Sequence, residues 1–444
     1  MMKAVHWGLM LLFLLLTGLW LLADTLMPQP FTYFNFRNVF VQYSGILGFA
    51  AMSTANILAY RPRWLEPYLH GLDKMYRLHK WLGISGLSAA VVHWWWAQGS
   101  KWMVGWGWLA PPVRHKGGMM PSTDTLEGWL LSQRGFAEHI GEWAFYVFAL
   151  LAIIALVKHV PYRWFQWSHR FMAAVYLVFV YHFLVLFKWA YWTQPIGWLM
   201  ILLALGGTYG ALVSLFGRIG HKRKAKGTIS EIKQNNDMAA ITVHLNEAWQ
   251  EHQAGQFAFI TFDNKEGAHP FTIASARNNK LSELCFIIKN LGDYTANLLK
   301  TVQIGKTVSV EGPYGCFDFN DGCTEQIWIG AGIGITPFLA RLAQLAHEPQ
   351  PQKITLFYCA RQADDIVLPT LQPLAAAAGV SLHFIDDSQN QRLSAADITQ
   401  LIPTWQQAGF WFCGPMAFGQ QLYSELHRLG LPNKRFQQEW FEMR

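Results

Sequence analysis

Four histidines sit inside long apolar stretches at matched spacing. His79 and His93 are 14 residues apart in one stretch, and His169 and His182 are 13 apart in another. An ionisable side chain at membrane depth is costly and by default marks function. At 1.5 Å per residue each pair is separated by roughly 20 Å along a helix, about the distance between sites near opposite faces of a bilayer. Two such helices side by side offer an inner level, His79 with His169, and an outer level, His93 with His182. Facing imidazoles are a ligand set for haem iron, so the pattern predicts two stacked haems and a wire for electrons. One membrane histidine alone is better explained by a hydrogen bond to a neighbouring helix. Two matched levels are not.

One detail strains this geometry. Fourteen residues return to nearly the same helix face, about 40° short of whole turns, whereas thirteen leave the rings about 140° apart. The second histidine helix is therefore expected to tilt or distort between His169 and His182.

The elements that must hold these groups follow from hydropathy. Six segments are long and apolar enough to span a bilayer: Val5–Ala23, Val39–Tyr60, Leu78–Ala97, His139–Lys158, His169–Trp189 and Pro195–Phe216. The first resembles a signal peptide but is long and lacks a clear cleavage site, so it reads as a retained helix. Arg61, Arg63, Lys74 and Arg77 lie between the second and third segments; Lys158, Arg163 and Arg170 lie at and between the facing ends of the fourth and fifth. The cluster His221-Lys222-Arg223-Lys224-Ala225-Lys226 follows the sixth. Basic residues mark cytoplasmic connections, which places both termini inside, in a bacterial-type inner membrane. The Gln98–Glu138 loop is then external, although it carries Lys101, Arg114, Lys116 and Arg134. The net charge of +7 is topology charge beside apolar segments, so nucleic acid is not an expected partner.

After Lys222 the composition becomes that of a soluble protein. All five cysteines lie there without a CxxC pair, which argues against zinc and a disulfide framework and for a reducing compartment. Thr228–Leu245, Gln256–Phe262, Leu284–Lys289 and Thr307–Val310 read as strands of a small antiparallel barrel. From Gln326 the rhythm becomes strand and helix: strands at Ile327–Gly330, Lys353–Cys359 and Ser381–Ile385, helices at Pro337–Leu345 and Leu368–Ala378, and a final strand at Gly409–Cys413. That is a parallel, nucleotide-binding type of sheet. The fold class is thus an all-α six-helix membrane bundle (1–221), an antiparallel β-barrel (222–324) and an α/β domain (325–444).

Chemistry-bearing motifs lie between these elements. His269-Pro270-Phe271-Thr272-Ile273-Ala274-Ser275 offers small and hydroxylated residues whose backbone can approach a flat ring. Gly292-Asp293-Tyr294-Thr295 opens a helix, where an N-terminus can hold a pyrophosphate. Gly312-Pro313-Tyr314-Gly315 is a rigid turn closing the barrel. Gly330-Ala331-Gly332-Ile333-Gly334-Ile335-Thr336-Pro337-Phe338 joins a strand to a helix, where a phosphate-binding turn belongs. Cys413-Gly414-Pro415 ends a later strand, near where a nicotinamide would lie.

In this order the motifs resemble the ferredoxin–NADP reductase module. Joined to membrane helices with paired histidines, they resemble the NADPH oxidase and ferric reductase superfamily over nearly the whole chain. The resemblance implies FAD between barrel and sheet, lined by His269, Pro270, Phe271 and Thr272 with Ser275 closing the motif. Thr295, after Gly292, is implied for its pyrophosphate. Gly330, Gly332, Gly334, Thr336 and Pro337 are implied for the dinucleotide phosphates. Arg361 is implied for a 2′-phosphate, favouring NADPH over NADH. Cys413, with Gly414 and Pro415, is implied beside the reactive nicotinamide carbon, and Phe441 stacked on the flavin, with Trp440 as its rival. Eukaryotic oxidases of the family carry a further histidine one turn beyond the outer ligand, where this chain has Ala97; Arg37 supplies positive charge nearby. The implied activity moves electrons from cytoplasmic NADPH through FAD and two haems to an external acceptor. That acceptor is dioxygen, giving superoxide, or a ferric chelate; the alternative is an electron relay to an external partner protein. No EF-hand loop is present, which predicts constitutive activity.

Overall fold

The computed structural model describes residues 2–112, 123–157, 160, 162–235, 237–276, 282–361, 366–389 and 392–439. The chain divides into two compact units, Met1–Leu65 with Lys74–Ile219, and Glu66–Asp73 with Gly220–Arg444.

The first unit is helical and apolar: α1 (Met2–Leu21), α2 (Tyr33–Ala59), α3 (Leu72–Gly105), α4 (Leu126–Ser132), α5 (Arg134–Leu156), α6 (Tyr162–Leu186) and α7 (Pro195–Leu215). The Thr32 hydroxyl caps α2 by accepting the Asn35 N–H at 3.2 Å, and Pro195 opens α7 with its φ already helical. Small residues let α7 press close to its neighbours. A methyl on Gly210 would meet the Asn56 carbonyl at 2.2 Å, and one on Gly207 the Tyr176 hydroxyl at 2.2 Å. Leu16, Trp20, Phe49, Tyr176, Phe183 and Tyr191 fill the centre, with Phe49 and Phe183 stacked at 4.3 Å. Outward faces are also apolar: Leu14, Trp143, Leu150, Ile153, Trp198, Leu202 and Leu205 are all exposed. In water so large an exposed apolar surface is a liability; in lipid it is the expected face.

Six spans were expected. Among the described residues three helices are long and apolar enough to cross a membrane: Arg134–Leu156, Trp164–Leu186 and Pro195–Leu215. The shorter Val5–Leu21 is apolar. The 27-residue α2 and 34-residue α3 have the length but carry Asn35, Arg37, Gln42 and Asn56, and Asp73, Lys80 and His93, respectively. These polar groups dilute the apolar signal because several turn toward other helices.

The second unit begins with β1 (Lys224–Gln234), β2 (Met238–Leu245), β3 (Phe257–Thr261), β4 (His269–Thr272), β5 (Glu283–Lys289), α8 (Asp293–Thr301) and β6 (Thr307–Tyr314). The six strands form one antiparallel sheet in the order β4-β3-β6-β1-β2-β5. An antiparallel bridge between Ile273 and Phe286 nearly closes it. There follow β7 (Glu325–Ala331), α9 (Thr336–His347), β8 (Lys353–Ala360), α10 (Leu368–Ala377), β9 (Ser381–Asp386), α11 (Ala395–Leu401), β10 (Gly409–Cys413), α12 (Met416–Arg428) and β11 (Phe436–Glu439). Their sheet is parallel, in the order β11-β10-β7-β8-β9. Gly409–Cys413 is therefore not the last strand. β11 is four residues long with a polar Gln-Gln-Glu end, and it gave no apolar period to read.

Candidate functional site

The four membrane histidines meet in pairs. The His79 and His169 rings are 5.6 Å apart between centroids at 69°, and those of His93 and His182 are 6.3 Å apart at 83°. Two imidazole nitrogens, each about 2 Å from a shared metal, put ring centroids roughly 6 Å apart, so both pairs fit one iron between them. Among the described residues no cluster of three or more metal-ligating side chains occurs. Two protein ligands suffice for a porphyrin iron.

Backbone carbonyls orient the rings. Nδ1 of His79 bonds to the Ala55 carbonyl at 2.9 Å, Nδ1 of His93 to Val41 at 3.0 Å, and Nδ1 of His182 to Ala137 at 2.8 Å. A proton fixed on Nδ1 leaves the Nε2 lone pair for a metal, which is the usual second-shell device of ligating histidines. The His93 nitrogen also lies 3.3 Å from the Ser44 hydroxyl. Nδ1 of His169 is buried without a hydrogen-bond partner among the described residues, and its ring stacks on Phe165 at 5.1 Å. Of the expected tilt or local distortion of the second histidine helix, no distortion interrupts α6, which is a continuous α-helix through both positions. Each of its two rings nevertheless meets its partner on α3.

At the barrel, the His269 ring at the start of β4 stacks on Tyr294, in the first turn of α8, at 3.5 Å and 13°. Burial holds the His269 imidazole below its ordinary pKa, so at neutral pH it is an uncharged flat surface. The Tyr294 hydroxyl is buried without a hydrogen-bond partner among the described residues, and burial pushes its pKa up. An orphaned donor beside a stacked aromatic pair suits a polar ring system such as a flavin. Pro270 and Phe271 continue β4 between them and buried Thr272, and the Ser275 hydroxyl accepts the Cys285 N–H at 3.1 Å. Thr295 is less free than its motif implies. Its hydroxyl accepts the N–H groups of Leu291 and Gly292 and donates to the Gly292 carbonyl at 3.1 Å, all within its own turn. Tyr294 went unassigned from sequence, although an aromatic opening a helix after a barrel strand is a readable signal.

In the parallel sheet, the chain leaves β7 for β8 on one side and later returns as β10 on the other. The ends of β7 and β10 thus form a topological switch point, where such sheets bind ligands. Glycines let the two turns touch. Gly332 has φ +55°, a methyl on Gly334 would lie 2.2 Å from the Cys413 carbonyl, and one on Gly414 would lie 2.7 Å from Ala331 Cβ. Gly330 pairs with Cys413 across the strands. The Thr336 hydroxyl donates to the Ile333 carbonyl at 2.7 Å, Pro337 sits in the first turn of α9, and Pro415 precedes α12. Two helix N-termini therefore open at the switch point, as phosphate binding requires. Arg361 is exposed directly after β8. Phe441 and Trp440 lie outside the described residues.

Cys413 is fully buried, and burial, with the Glu439 carboxylate adding to it, raises its pKa well above the ordinary 9.0. Burial likewise raises Cys359 to about 12. Both are neutral thiols at physiological pH, so Cys413 contributes shape rather than a thiolate. Each is harder to ionise folded than unfolded. Their contribution to stability is whole below pH 9 and is lost as pH rises above it, for Cys359 toward about 12. Denaturant unfolding followed by flavin release should show a lower midpoint at pH 10.5 than at pH 8, and native Cys413 should resist alkylation at pH 8. Rapid labelling there would contradict the burial.

Comparison with known proteins agrees with this layout. Residues 44–180 match the ferric reductase like transmembrane component, 223–317 an FAD-binding domain, and 328–420 an oxidoreductase NAD-binding domain. The chain is 25% identical over 205 residues to an NADPH oxidoreductase of Mycobacterium tuberculosis, covering 44% of this chain and 54% of that one. It is 26% identical over 204 residues to a flavohemoprotein of Vibrio cholerae, covering 43% and 52%. The chain thus spans about half the length of these relatives. The FAD/NAD-binding domain of a nitric oxide dioxygenase from Vibrio cholerae aligns with a TM-score of 0.43 at 21% identity, over 48% of this chain and 97% of that one. With a ferric reductase like transmembrane component followed by FAD- and NAD-binding domains, the chain matches the NADPH oxidase and ferric reductase superfamily.

Proposed function

We propose that this protein is a transmembrane flavohaem oxidoreductase carrying electrons from cytoplasmic NADPH to an acceptor across the membrane. The observation that carries the reading is the pairing of four histidines at two levels, with three of the rings held by backbone carbonyls. His79 and His169 would hold the inner haem, His93 and His182 the outer one. Residues 1–221 form the membrane domain, whose six long helices all span, with the basic connections inside; 222–324 hold FAD and 325–444 the nicotinamide. When bound, FAD accepts a hydride and releases electrons singly, as haem iron requires.

The chain's own residues do the positioning. His269, Pro270, Phe271, Thr272, Ser275 and Tyr294 present a flat, largely uncharged wall to the flavin. Gly292 and the first turn of α8 offer N–H groups to its pyrophosphate, with Thr295 stiffening that turn. Gly330, Gly332, Gly334, Thr336, Pro337, Gly414 and Pro415 bring backbone close to the dinucleotide, and buried Cys413 fills the floor beneath. Phe441 is proposed to cover the flavin. Arg361 is free to meet a 2′-phosphate. Losing one charged hydrogen bond costs about 1.5–3 kcal/mol, so Arg361→Ser should raise KM for NADPH roughly 10- to 100-fold and leave KM for NADH nearly unchanged. Equal losses with both nucleotides would remove Arg361 from that role.

The acceptor separates by experiment. Purified protein reducing cytochrome c in a superoxide dismutase-sensitive way is an oxidase. Ferric chelate reduction that the dismutase does not affect identifies a metal reductase. Neither activity without an added protein would overturn the small-molecule reading in favour of a relay. Arg37 bears on this site, since its Nη2 donates to the Ala97 carbonyl at 2.8 Å.

A further inference from the structure

The residues next to the outer histidine pair form a chain of their own. On α3, Trp94 follows His93 directly; on α5, Glu142 follows Gly141, where an added methyl would lie 2.0 Å from Nδ1 of His182. The Trp94 indole N–H donates to the Tyr146 hydroxyl at 3.3 Å. That hydroxyl donates in turn to Oε1 of Glu142, one turn earlier on α5, at 2.8 Å. The Trp94 and Tyr146 rings are 6.0 Å apart between centroids at 76°. Other aromatics widen the contact. Phe145 stacks on Trp94 at 5.3 Å, Trp102 meets Trp94 at 5.4 Å and Trp95 at 5.9 Å, and Trp143 meets Tyr146 at 5.9 Å. Trp95, Trp143 and Tyr146 are exposed.

Aromatic residues at a membrane interface anchor a helix to the bilayer, which accounts for exposed Trp95 and Trp143. It accounts neither for the hydrogen-bonded order of Trp94, Tyr146 and Glu142 nor for a carboxylate in an apolar helix. A phenol becomes a far stronger acid when it loses an electron. Tyrosine is therefore oxidised readily only where a base takes its proton at once, and Glu142 is such a base, already in place. We propose that Trp94, Tyr146 and Glu142 form a proton-coupled relay that drains oxidising equivalents from beside the outer histidine pair to the protein surface. The step balances. A one-electron oxidant derived from peroxide is reduced by an electron from Trp94. Tyr146 gives one electron to the resulting Trp94 radical cation while its O–H bond breaks and the proton joins the Glu142 carboxylate. The neutral tyrosyl radical left at exposed Tyr146 takes a hydrogen atom from an external thiol, and Glu142 releases its proton to solvent. Peroxide arises at this face when dioxygen is the acceptor, because superoxide disproportionates to it. The protective role thus rests on the function proposed above; the relay itself does not.

The test compares Tyr146→Phe and Glu142→Gln with wild type as full-length protein in nanodiscs, oxidised by a flash from ruthenium tris(bipyridine) with persulfate. Freeze-quenched electron paramagnetic resonance should show a tyrosyl radical in wild type, narrowed by ring-deuterated tyrosine, and lose most of it in Tyr146→Phe. Glu142→Gln still accepts the hydroxyl but takes no proton, so radical formation should slow by about 10²-fold, within the range a positioned base contributes. A tyrosyl signal undiminished in Tyr146→Phe, or formed at the wild-type rate in Glu142→Gln, would overturn the relay. Under hydrogen peroxide the Soret band should bleach about tenfold faster in Tyr146→Phe than in wild type. Equal bleaching would overturn the protective role. A wild-type chain without haem would instead sink the functional reading, and the resonance arm would still decide the relay.

Discussion

His79→Ala or His169→Ala is expected to remove about half of the haem per flavin and to slow electron delivery beyond the flavin by more than about 100-fold. The reason is local. The rings of this pair face each other at 5.6 Å, and His79 is held by the Ala55 carbonyl. Alanine at either position leaves a one-sided site in an apolar slot, and among the described residues no third metal-ligating side chain is grouped with the pair. Flavin bleaching by NADPH should be unaffected, because the reductase motifs lie on other elements. His93→Ala or His182→Ala should differ in kind: NADPH would still reduce the remaining haem, and turnover with external acceptors would stop. Pyridine haemochrome content per FAD, with stopped flow at the Soret band, reads both results. Full haem content in all four variants would refute the assignment.

Gly141→Ala should have an effect of similar size without touching a ligand. A methyl there would lie 2.0 Å from Nδ1 of His182, far inside contact distance. Overpacking of this kind costs about 1–3 kcal/mol, and here the group that must yield is the ring itself. Moving it breaks the 2.8 Å bond to the Ala137 carbonyl that sets its orientation. Loss of the outer haem with the inner one retained is the expected outcome. Gly45→Ala is the graded control. Its methyl would meet His93 Cε1 at 3.1 Å, a contact relieved by a few tenths of an ångström, so haem should be kept with a small shift of midpoint potential. Identical haem content and potentials in wild type and Gly141→Ala would show that the His182 pose is wrong.

The proposed ligands were more legible in the sequence than the groups that support them. Histidines in an apolar run stand out because burial makes them expensive. Ala55, Val41 and Ala137 act through their carbonyls, and Gly141 acts by having no side chain; neither leaves a chemical mark in the sequence. The reductase half was legible because alternation, glycine turns and helical periods agree there, and β7, α9, β8, β9 and β10 lie close to where those signals put them. β11 escaped because Gln437, Gln438 and Glu439 read as polar, although Gln438 and Glu439 are buried beside β10. The limits of α3 were short by several residues at each end, since its polar termini extend the helix beyond the apolar stretch. Thr295 looked like a phosphate ligand by motif, yet its hydroxyl is spent within its own turn. The buried Glu66 carboxylate accepts the Gly315 N–H from 249 positions away, a contact beyond the reach of any local pattern.

The most direct measurement is an anaerobic reduced-minus-oxidised optical spectrum of the purified chain, expressed with ample haem and titrated with NADPH. Two haems per flavin with split Soret and α bands, both reduced by the nucleotide, is the result this account requires. A preparation carrying flavin but no Soret band, or a Soret band that NADPH leaves oxidised after the flavin has bleached, would contradict it.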